Sequence, residues 1–191
     1  MQASLLVLAG GESRRMGRPK AWLKVGDSIL LRHVVERLAP AFSEVMVSFA
    51  EPEQLEEPVP YRIVFDRKPS AGPLAGLEAG LAVARNDTVF AVACDMPYVT
   101  QEVAQVAVAA VRGADAAIPR IGGRPEPVCG AYCRSALPSI TEALNAGRFK
   151  TADVLGSLEV TWLDGLDPEV FRSLNTPRDL DRFHAEFASQ R

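Results

Sequence analysis

Residues 9–20 read Ala9-Gly10-Gly11-Glu12-Ser13-Arg14-Arg15-Met16-Gly17-Arg18-Pro19-Lys20 and follow directly on the apolar run Ser4-Leu5-Leu6-Val7-Leu8. Paired glycines free the backbone to take positive φ and to bring its N–H groups close to an anion. The Ser13 hydroxyl and the cations Arg14, Arg15 and Lys20 add the donors and countercharge that phosphate oxygens demand. A buried strand opening into such a string reads as an anion-binding loop. The competing reading is an ordinary tight turn. The two common nucleotide loops do not describe it: a P-loop needs Gly-Lys-Ser/Thr opening a helix, and a dinucleotide site needs G-x-G-x-x-G.

Two carboxylates stand at comparable places. Asp95 follows the continuous apolar run Val89-Phe90-Ala91-Val92-Ala93, and Asp66 ends the shorter run Arg62-Ile63-Val64-Phe65. In open α/β sheets, ligands sit outside the carboxyl ends of the strands, which would bring both acids and the 9–20 loop together. A lone carboxylate suits Mg²⁺, which keeps several waters and takes further ligands from substrate phosphates, and Asp95 is the first candidate for that ligand. Its alternative is a turn or cap residue ahead of Pro97; for Asp66 the alternative is a surface turn. Arg14 and Arg18 read as solvated charges.

The elements that must position these residues follow from periodicity. Residues 4–8, 44–49, 62–65 and 89–93 read as strands, the last as a central buried one. Ile29, Leu30, Val34, Val35 and Leu38 recur at helical spacing from Ser28, and Pro40 stops the run. Residues 51–60, acidic and Pro-rich, read as a surface loop. Pro73 suits a first helical position, with Leu74, Leu77, Leu81 and Ala84 forming one stripe behind it. Residues 100–112 form another helix. Beyond them, 114–119 and 128–132 read as strands, open to antiparallel pairing, then 135–146 as a helix, 151–156 as a short one and 159–163 as a strand. Thr176, Pro177 and Asp179 mark the start of a last helix as N-cap, first position and first-turn acid. Alternating strands and helices predict an α/β chain with one doubly wound, mostly parallel sheet and a small antiparallel edge.

The totals narrow the function classes. A length of 191 residues with 48% hydrophobic content fits one domain, 1–191, with a sizeable core. A net charge of −3 gives no footing for nucleic acid or a membrane surface. Apolar runs fall short of the roughly 20 residues of a membrane span, and the N-terminal run is too short for a signal peptide, so a cytoplasmic protein is expected. Cys94, Cys129 and Cys133 are odd in number and lack C-x-x-C spacing, which points to reduced thiols rather than disulfides or zinc. His33 and His184 read as helix residues without catalytic duty.

Leu8, Ala9, Gly10, Gly11, Ser13, Arg15, Met16, Gly17 and Lys20 stand in register with the string L-A-G-G-x-S-x-R-M-G-x-x-K. The chain thereby resembles the nucleotidyltransferases that carry this signature, in particular the molybdenum cofactor guanylyltransferases of the MobA-like family. The similarity extends to Asp66 with Gly72-Pro73-Leu74-Ala75-Gly76, to Asp95-Met96-Pro97-Tyr98, and to Asn175-Thr176-Pro177. It implies a Rossmann-like nucleotidyltransferase topology and transfer of GMP from GTP to the phosphate of a molybdopterin cofactor, with pyrophosphate leaving. Leu8, Ala9, Gly10, Gly11, Ser13, Lys20, Ser48, Asp66 and Asp95 would bind the nucleotide. Lys20, Arg15 and Asp95 would be catalytic, with Asp95 holding Mg²⁺. Ser48 stands where the family often has Asn, and Ser173 where a further Asn is common. The resemblance also implies transient contact with other cofactor-biosynthesis or acceptor proteins.

The acceptor needs cations for its phosphate and polar partners for its ring. Arg120-Ile121-Gly122-Gly123-Arg124-Pro125-Glu126, with Arg148 and Lys150 beyond it, offers that combination, and Arg124 and Asn175 are the acceptor candidates. The same loop reads equally as a β-hairpin turn with solvated charges. Two rival functions stay open. One is cytidylyl transfer to molybdopterin or another phosphomonoester; relatives of that type tend toward Ala-Ala-Gly and Asp-Thr-Pro where this chain has Ala9-Gly10-Gly11 and Asn175-Thr176-Pro177. The other is a non-catalytic nucleotide-binding domain, which the joint presence of Lys20 and Asp95 disfavours.

Overall fold

The first strand, β1 (Ser4–Leu8), is apolar from Leu5 to Leu8 and buried at every residue. A strand without alternation must be covered on both faces, and the computed structural model, which describes residues 1–10, 19–69 and 71–188, has it so covered. Leu5 and Val7 point into one core layer, and Leu6 and Leu8 into another on the opposite face. Successive side chains of a strand alternate in this way.

After β1 the described chain resumes with a 3₁₀ turn over Lys20–Trp22. Strands β2 (Lys24–Val25) and β3 (Ser28–Ile29) form a two-stranded antiparallel hairpin about Gly26, whose φ is 57°. The helix anticipated from Ser28 therefore begins two residues later, as α1 (Leu30–Leu38). Ser28 and Ile29 are drawn into the hairpin, where pairing with Lys24 and Val25 satisfies backbone that a first helical turn would leave open. Next come β4 (Glu44–Phe49), β5 (Arg62–Phe65), α2 (Pro73–Val83), β6 (Thr88–Ala93) and α3 (Gln101–Ala110), the last capped by Thr100, whose side chain accepts from the Val103 N–H. The second half runs through β7 (Ala116–Ile121), β8 (Arg124–Pro125), β9 (Cys129–Cys133), α4 (Leu137–Asn145), α5 (Thr151–Val154), β10 (Val160–Leu163) and α6 (Pro177–Ala188).

The main sheet has the order β10-β7-β9-β6-β1-β4-β5, with β8 paired to β7. β1 is parallel to β4 and β6, β4 to β5, and β10 to β7. The antiparallel pairing expected in the second half is carried by β9, which lies inside the sheet between β6 and β7. The chain moves outward from β1 to β4 and β5, then returns to the other side of β1 as β6. The strand order thus reverses between β1 and β6, and a crevice opens at their carboxyl ends.

Helices α1 and α3 cover one face of the sheet and α2 and α4 the other. Helix α2 approaches closely because it presents glycines: a Cβ on Gly80 would lie 2.3 Å from Leu6 Cδ2, and one on Gly76 would lie 2.5 Å from Ser48 Oγ. A third, smaller cluster joins Leu23, Val25 and Leu30 to Leu174 and Phe183, which ties α6 to the β2–β3 hairpin. Among the described residues no helix is long and apolar enough to cross a membrane.

Candidate active site

The crevice at the switch point contains a cavity of about 130 Å³. Leu8 and Gly10 of the β1 end, Ala93, Cys94 and Asp95 of the β6 end, and Ser48 of β4 line one part of it. Asp66, just past β5, and Gly72, Pro73 and Gly76 at the start of α2 line another, and Lys20 completes it. Sheet pairing sets these strand ends level: Leu8 is opposite Ser48 on one side and Ala93 on the other. Backbone bonds continue past the strands, with the Cys94 N–H donating to the Leu8 carbonyl at 3.0 Å and the Ala9 N–H to the Ser48 carbonyl at 2.8 Å.

Lys20, Asp95 and Asn175 meet at the mouth of this cavity. Lys20 Nζ donates to Asp95 Oδ2 at 2.6 Å and to Asn175 Oδ1 at 2.7 Å. The side chains of Lys20 and Asp95 are each 19% exposed, so the pair is sheltered yet reachable from solvent. Asn175 is carried in by the segment ahead of α6. The Leu174 N–H donates to the Asp95 carbonyl at 2.8 Å, and the following turn is fixed by the reciprocal cap expected at Thr176. There Asp179 Oδ2 accepts from the Thr176 N–H at 2.8 Å, and the Asp179 N–H donates to Thr176 Oγ1 at 3.2 Å. The far end of α6 is tied down as well: Arg172 donates to Glu186 at 3.0 and 3.2 Å and lies 4.1 Å over the Tyr98 ring.

The other end of the cavity holds a second acid. Ser48 Oγ donates to Asp66 Oδ1 at 3.0 Å. Burial pushes the Asp66 carboxyl up to about 6; the Ser48 hydroxyl opposes that shift and the nearby Glu78 charge adds to it. A carboxyl raised by burial in this way belongs to an acid held in a cavity rather than to a solvated surface turn. Gly72 turns the chain into α2 with φ 68° and ψ −166°, a conformation essentially confined to glycine. Pro73 at the first helical position leaves the positive end of α2 against the cavity wall.

The structure brings together Leu8, Gly10, Lys20, Ser48, Asp66, Asp95 and Asn175 of the residues singled out from sequence; Ala9, buried at 3% exposure, packs below them in the core. Gly11, Ser13 and Arg15 lie outside the described residues, as do Arg14 and Arg18. Arg124 is not brought to the cavity. It is exposed in β8, across a two-residue turn in which Gly122 and Gly123 both have positive φ, 56° and 80°, as a type I′ hairpin requires. Arg120 of the same hairpin is held by Asp164 at 2.9 and 2.7 Å. The hairpin reading of residues 120–126 is therefore the one realised locally. Arg148 and Lys150 are exposed and flank Phe149, whose carbonyl lies 3.6 Å from where a Gly72 Cβ would stand.

Sequence reasoning passed over Cys94 as a wall residue, because the thiols were weighed only as ligands or bridges. Burial raises its pKa far above the ordinary thiol range, so it is a small apolar wall and no nucleophile. His33 packs edge-on against Phe183 at 5.3 Å and His184 lies 2.9 Å from the Lys24 carbonyl, so both sit in helices away from the cavity lining.

Comparison with known proteins places this geometry. Residues 5–159 match the family model described as the MobA-like NTP transferase domain. A probable molybdenum cofactor guanylyltransferase from Pelotomaculum thermopropionicum is 35% identical over 187 residues, covering 94% of this chain and 91% of the relative. Among solved structures, molybdopterin-guanine dinucleotide biosynthesis protein A from Archaeoglobus fulgidus superposes with a TM-score of 0.85 at 28% identity, covering 98% of this chain and all of that one. The 2-C-methyl-D-erythritol 4-phosphate cytidylyltransferase of Thermus thermophilus, at a TM-score of 0.74 and 21% identity over 97% of this chain and 98% of that one, shares the fold. With a family match over most of its length and the cavity at the strand switch point, the chain belongs to the MobA-like NTP transferase family.

Proposed function

We propose that this chain, acting as a single domain in the cytoplasm, transfers GMP from GTP to the terminal phosphate of molybdenum-bound molybdopterin. Pyrophosphate would leave, and the guanine dinucleotide form of the cofactor would result. The observation that carries the reading is the meeting of Lys20, Asp95 and Asn175 beside a cavity whose far end holds Asp66. The similarity to guanylyltransferases supports the choice of nucleotide and acceptor.

Each end of the cavity has a distinct task. The base would lie between the apolar Leu8 and Pro73 walls with its edge toward Asp66. A carboxylate accepts two hydrogen bonds side by side, and guanine offers two adjacent donors, its ring N–H and its amino group. Cytosine offers a single donor group, its amino, beside a ring acceptor that a carboxylate repels, which favours GTP over CTP. The phosphates would then run toward Lys20, with the backbone at Gly10 beside them.

Asp95 has the hard oxygen donor that Mg²⁺ selects, on a side chain open to the cavity. Among the described residues no three His, Cys, Asp or Glu side chains gather, which fits an ion completed by substrate phosphates and water. When bound there, the ion supplies charge neutralisation to the phosphates. Lys20 would release its contacts to Asp95 and Asn175 and donate to the phosphate oxygens on which charge grows as pyrophosphate departs. Asn175, freed of Lys20, would turn its amide toward the incoming acceptor. A phosphomonoester has a second pKa near ~6 and is largely dianionic at neutral pH, so the attacking oxygen needs no general base. The chain's contribution is alignment and charge balance.

The test is turnover with purified protein, Mg²⁺, GTP and molybdenum-loaded molybdopterin, following pyrophosphate and the dinucleotide product. Faster turnover with CTP than with GTP would transfer the chain to the cytidylyl reading. Binding of GTP without pyrophosphate release would leave a nucleotide-binding domain.

A further inference from the structure

The segment between β4 and β5, acidic and Pro-rich, packs Leu55, Val59 and Tyr61 against the core and also carries a polar side chain bonded to neighbouring backbone. Gln54 ends a 3₁₀ turn over Pro52–Gln54 and is partly buried. Its Oε1 accepts from the Ala50 N–H at 2.9 Å, and its Nε2 makes a long contact of 3.5 Å to the Gly10 carbonyl. Its own carbonyl accepts from the Trp22 indole N–H at 2.8 Å. Trp22 is 2% exposed and stacks on Phe49, with ring centroids 6.0 Å apart.

These contacts meet at the two ends of one loop. Gly10 opens the glycine-rich string, and Trp22 follows Lys20, its last cation, by two residues. At the entrance the backbone is pressed against the end of β4: a Cβ on Gly10 would stand 2.6 Å from the Ala50 nitrogen. We infer that Gln54 is a positioning residue, which ties Gly10 through its side chain and Trp22 through its backbone carbonyl to the end of β4, so that the Gly10 backbone and Lys20 meet a triphosphate in register. The inference rests on the reading of that loop as a phosphate cradle. It assigns to Gln54 no contact with substrate. A short polar side chain at 54 could not span from Ala50 to Gly10, and an apolar one would leave the Ala50 N–H without its acceptor.

The test separates phosphate from base. GTP and guanosine binding are measured by titration on the wild type, Gln54→Ala, Gln54→Glu and Trp22→Phe, with thermal melting alongside. Wild type should bind GTP far more tightly than guanosine. Gln54→Ala should weaken GTP about tenfold, the scale of one lost hydrogen bond, while guanosine affinity stays within twofold. Gln54→Glu keeps the acceptor for Ala50 but opposes a carboxylate to the Gly10 carbonyl, so it should weaken GTP at least as much. Trp22→Phe removes the indole donor while keeping the stack, and should weaken GTP with guanosine again unchanged. Equal losses for GTP and guanosine in the variants would mean a general packing role and overturn the inference, as would unchanged binding of both. If Gln54→Ala does not fold, Gln54→Glu and Trp22→Phe decide by the same comparison. A wild type that binds GTP no better than guanosine would overturn the phosphate-cradle reading itself, and with it this inference.

Discussion

Replacement of Asp66 by Asn should make the preference for GTP depend on pH in a way that reports this one carboxyl. Burial raises Asp66 to about 6, against 3.8 for an unperturbed carboxyl. The ionised fraction is then about 0.9 at pH 7 and about 0.1 at pH 5. If the ionised form accepts the two guanine donors, GTP affinity through this contact falls about tenfold over that interval, or about 1.4 kcal/mol. The triphosphate also titrates near pH 6, so the quantity to follow is the ratio of Kd for Asp66→Asn to Kd for wild type, in which the phosphate contribution cancels. At pH 7.5 the ratio should be roughly ten to a hundred, the scale of hydrogen bonds to a charged group. By pH 5 it should fall about tenfold toward unity, because a protonated carboxyl resembles an amide. The stability of the unliganded protein should move the other way. A carboxyl raised on folding binds more protons when folded, so wild type gains stability as pH falls from above 6 toward 4, and the Asn variant lacks that gain. Calorimetry at four or five pH values on both proteins measures both quantities. A ratio that stays flat from pH 5 to 7.5, or near unity throughout, would remove Asp66 from base recognition.

Three further expectations concern other parts of the molecule. Lys20→Ala should lower kcat at least a hundredfold with little change in melting temperature, since the partly exposed pair with Asp95 contributes little to folding; a stable variant with near-normal turnover would make the loop structural. Glu44, at the amino end of β4, receives hydrogen bonds from Ser4 at 2.6 Å, from the Arg85 N–H at 2.8 Å and from Arg62 at 2.8 Å. Burial alone would raise its pKa, but these donors outweigh burial and hold it below the ordinary range. That stability is present above the unfolded pKa near 4.5 and is lost as pH falls through the depressed value. Glu44→Gln should therefore melt lower at pH 7, by roughly 1–3 kcal/mol in denaturant, and lose less than wild type on acidification; an identical acid limb in both would refute the assignment. Arg124→Ala should leave GTP binding unchanged, and if the hairpin only carries solvated charge, the molybdopterin concentration at half-maximal rate will be unchanged too. A selective rise in that concentration would return Arg124 to the acceptor side.

Much of the scaffold was legible in the chain because it is encoded locally. The unbroken apolar runs at residues 5–8 and 89–93 require cover on both faces, and both became central strands. Thr176, Pro177 and Asp179 specify their cap within four residues, and the cap forms between those residues. Where two local signals competed, periodicity misplaced the boundary: Ser28 and Ile29 fit the helical stripe, yet the turn at Gly26 and the partners Lys24 and Val25 claimed them for a hairpin. At residues 120–126 the glycines and arginines fitted two readings, and the positive φ at Gly122 and Gly123 realised the turn.

By itself, then, the sequence determined which residue types reach the carboxyl ends of the strands, since spacing and strand patterning place Gly10, Asp66 and Asp95 there. Tertiary structure decided which of them touch. Lys20 meets Asp95 across 75 residues and Asn175 across 155, and no periodicity spans such distances. Those contacts follow from the sheet order, which sets β6 beside β1, and from the packing of α6 through Phe183 and Leu174, which delivers Asn175. The same holds for Ser48 on Asp66, brought side by side by the register of β4 and β5, and for Gln54, whose surroundings exist only once both ends of the first loop are laid on β4. Local chemistry is written in short stretches, whereas a site between crossovers depends on strand order, register and close packing that the whole fold must supply.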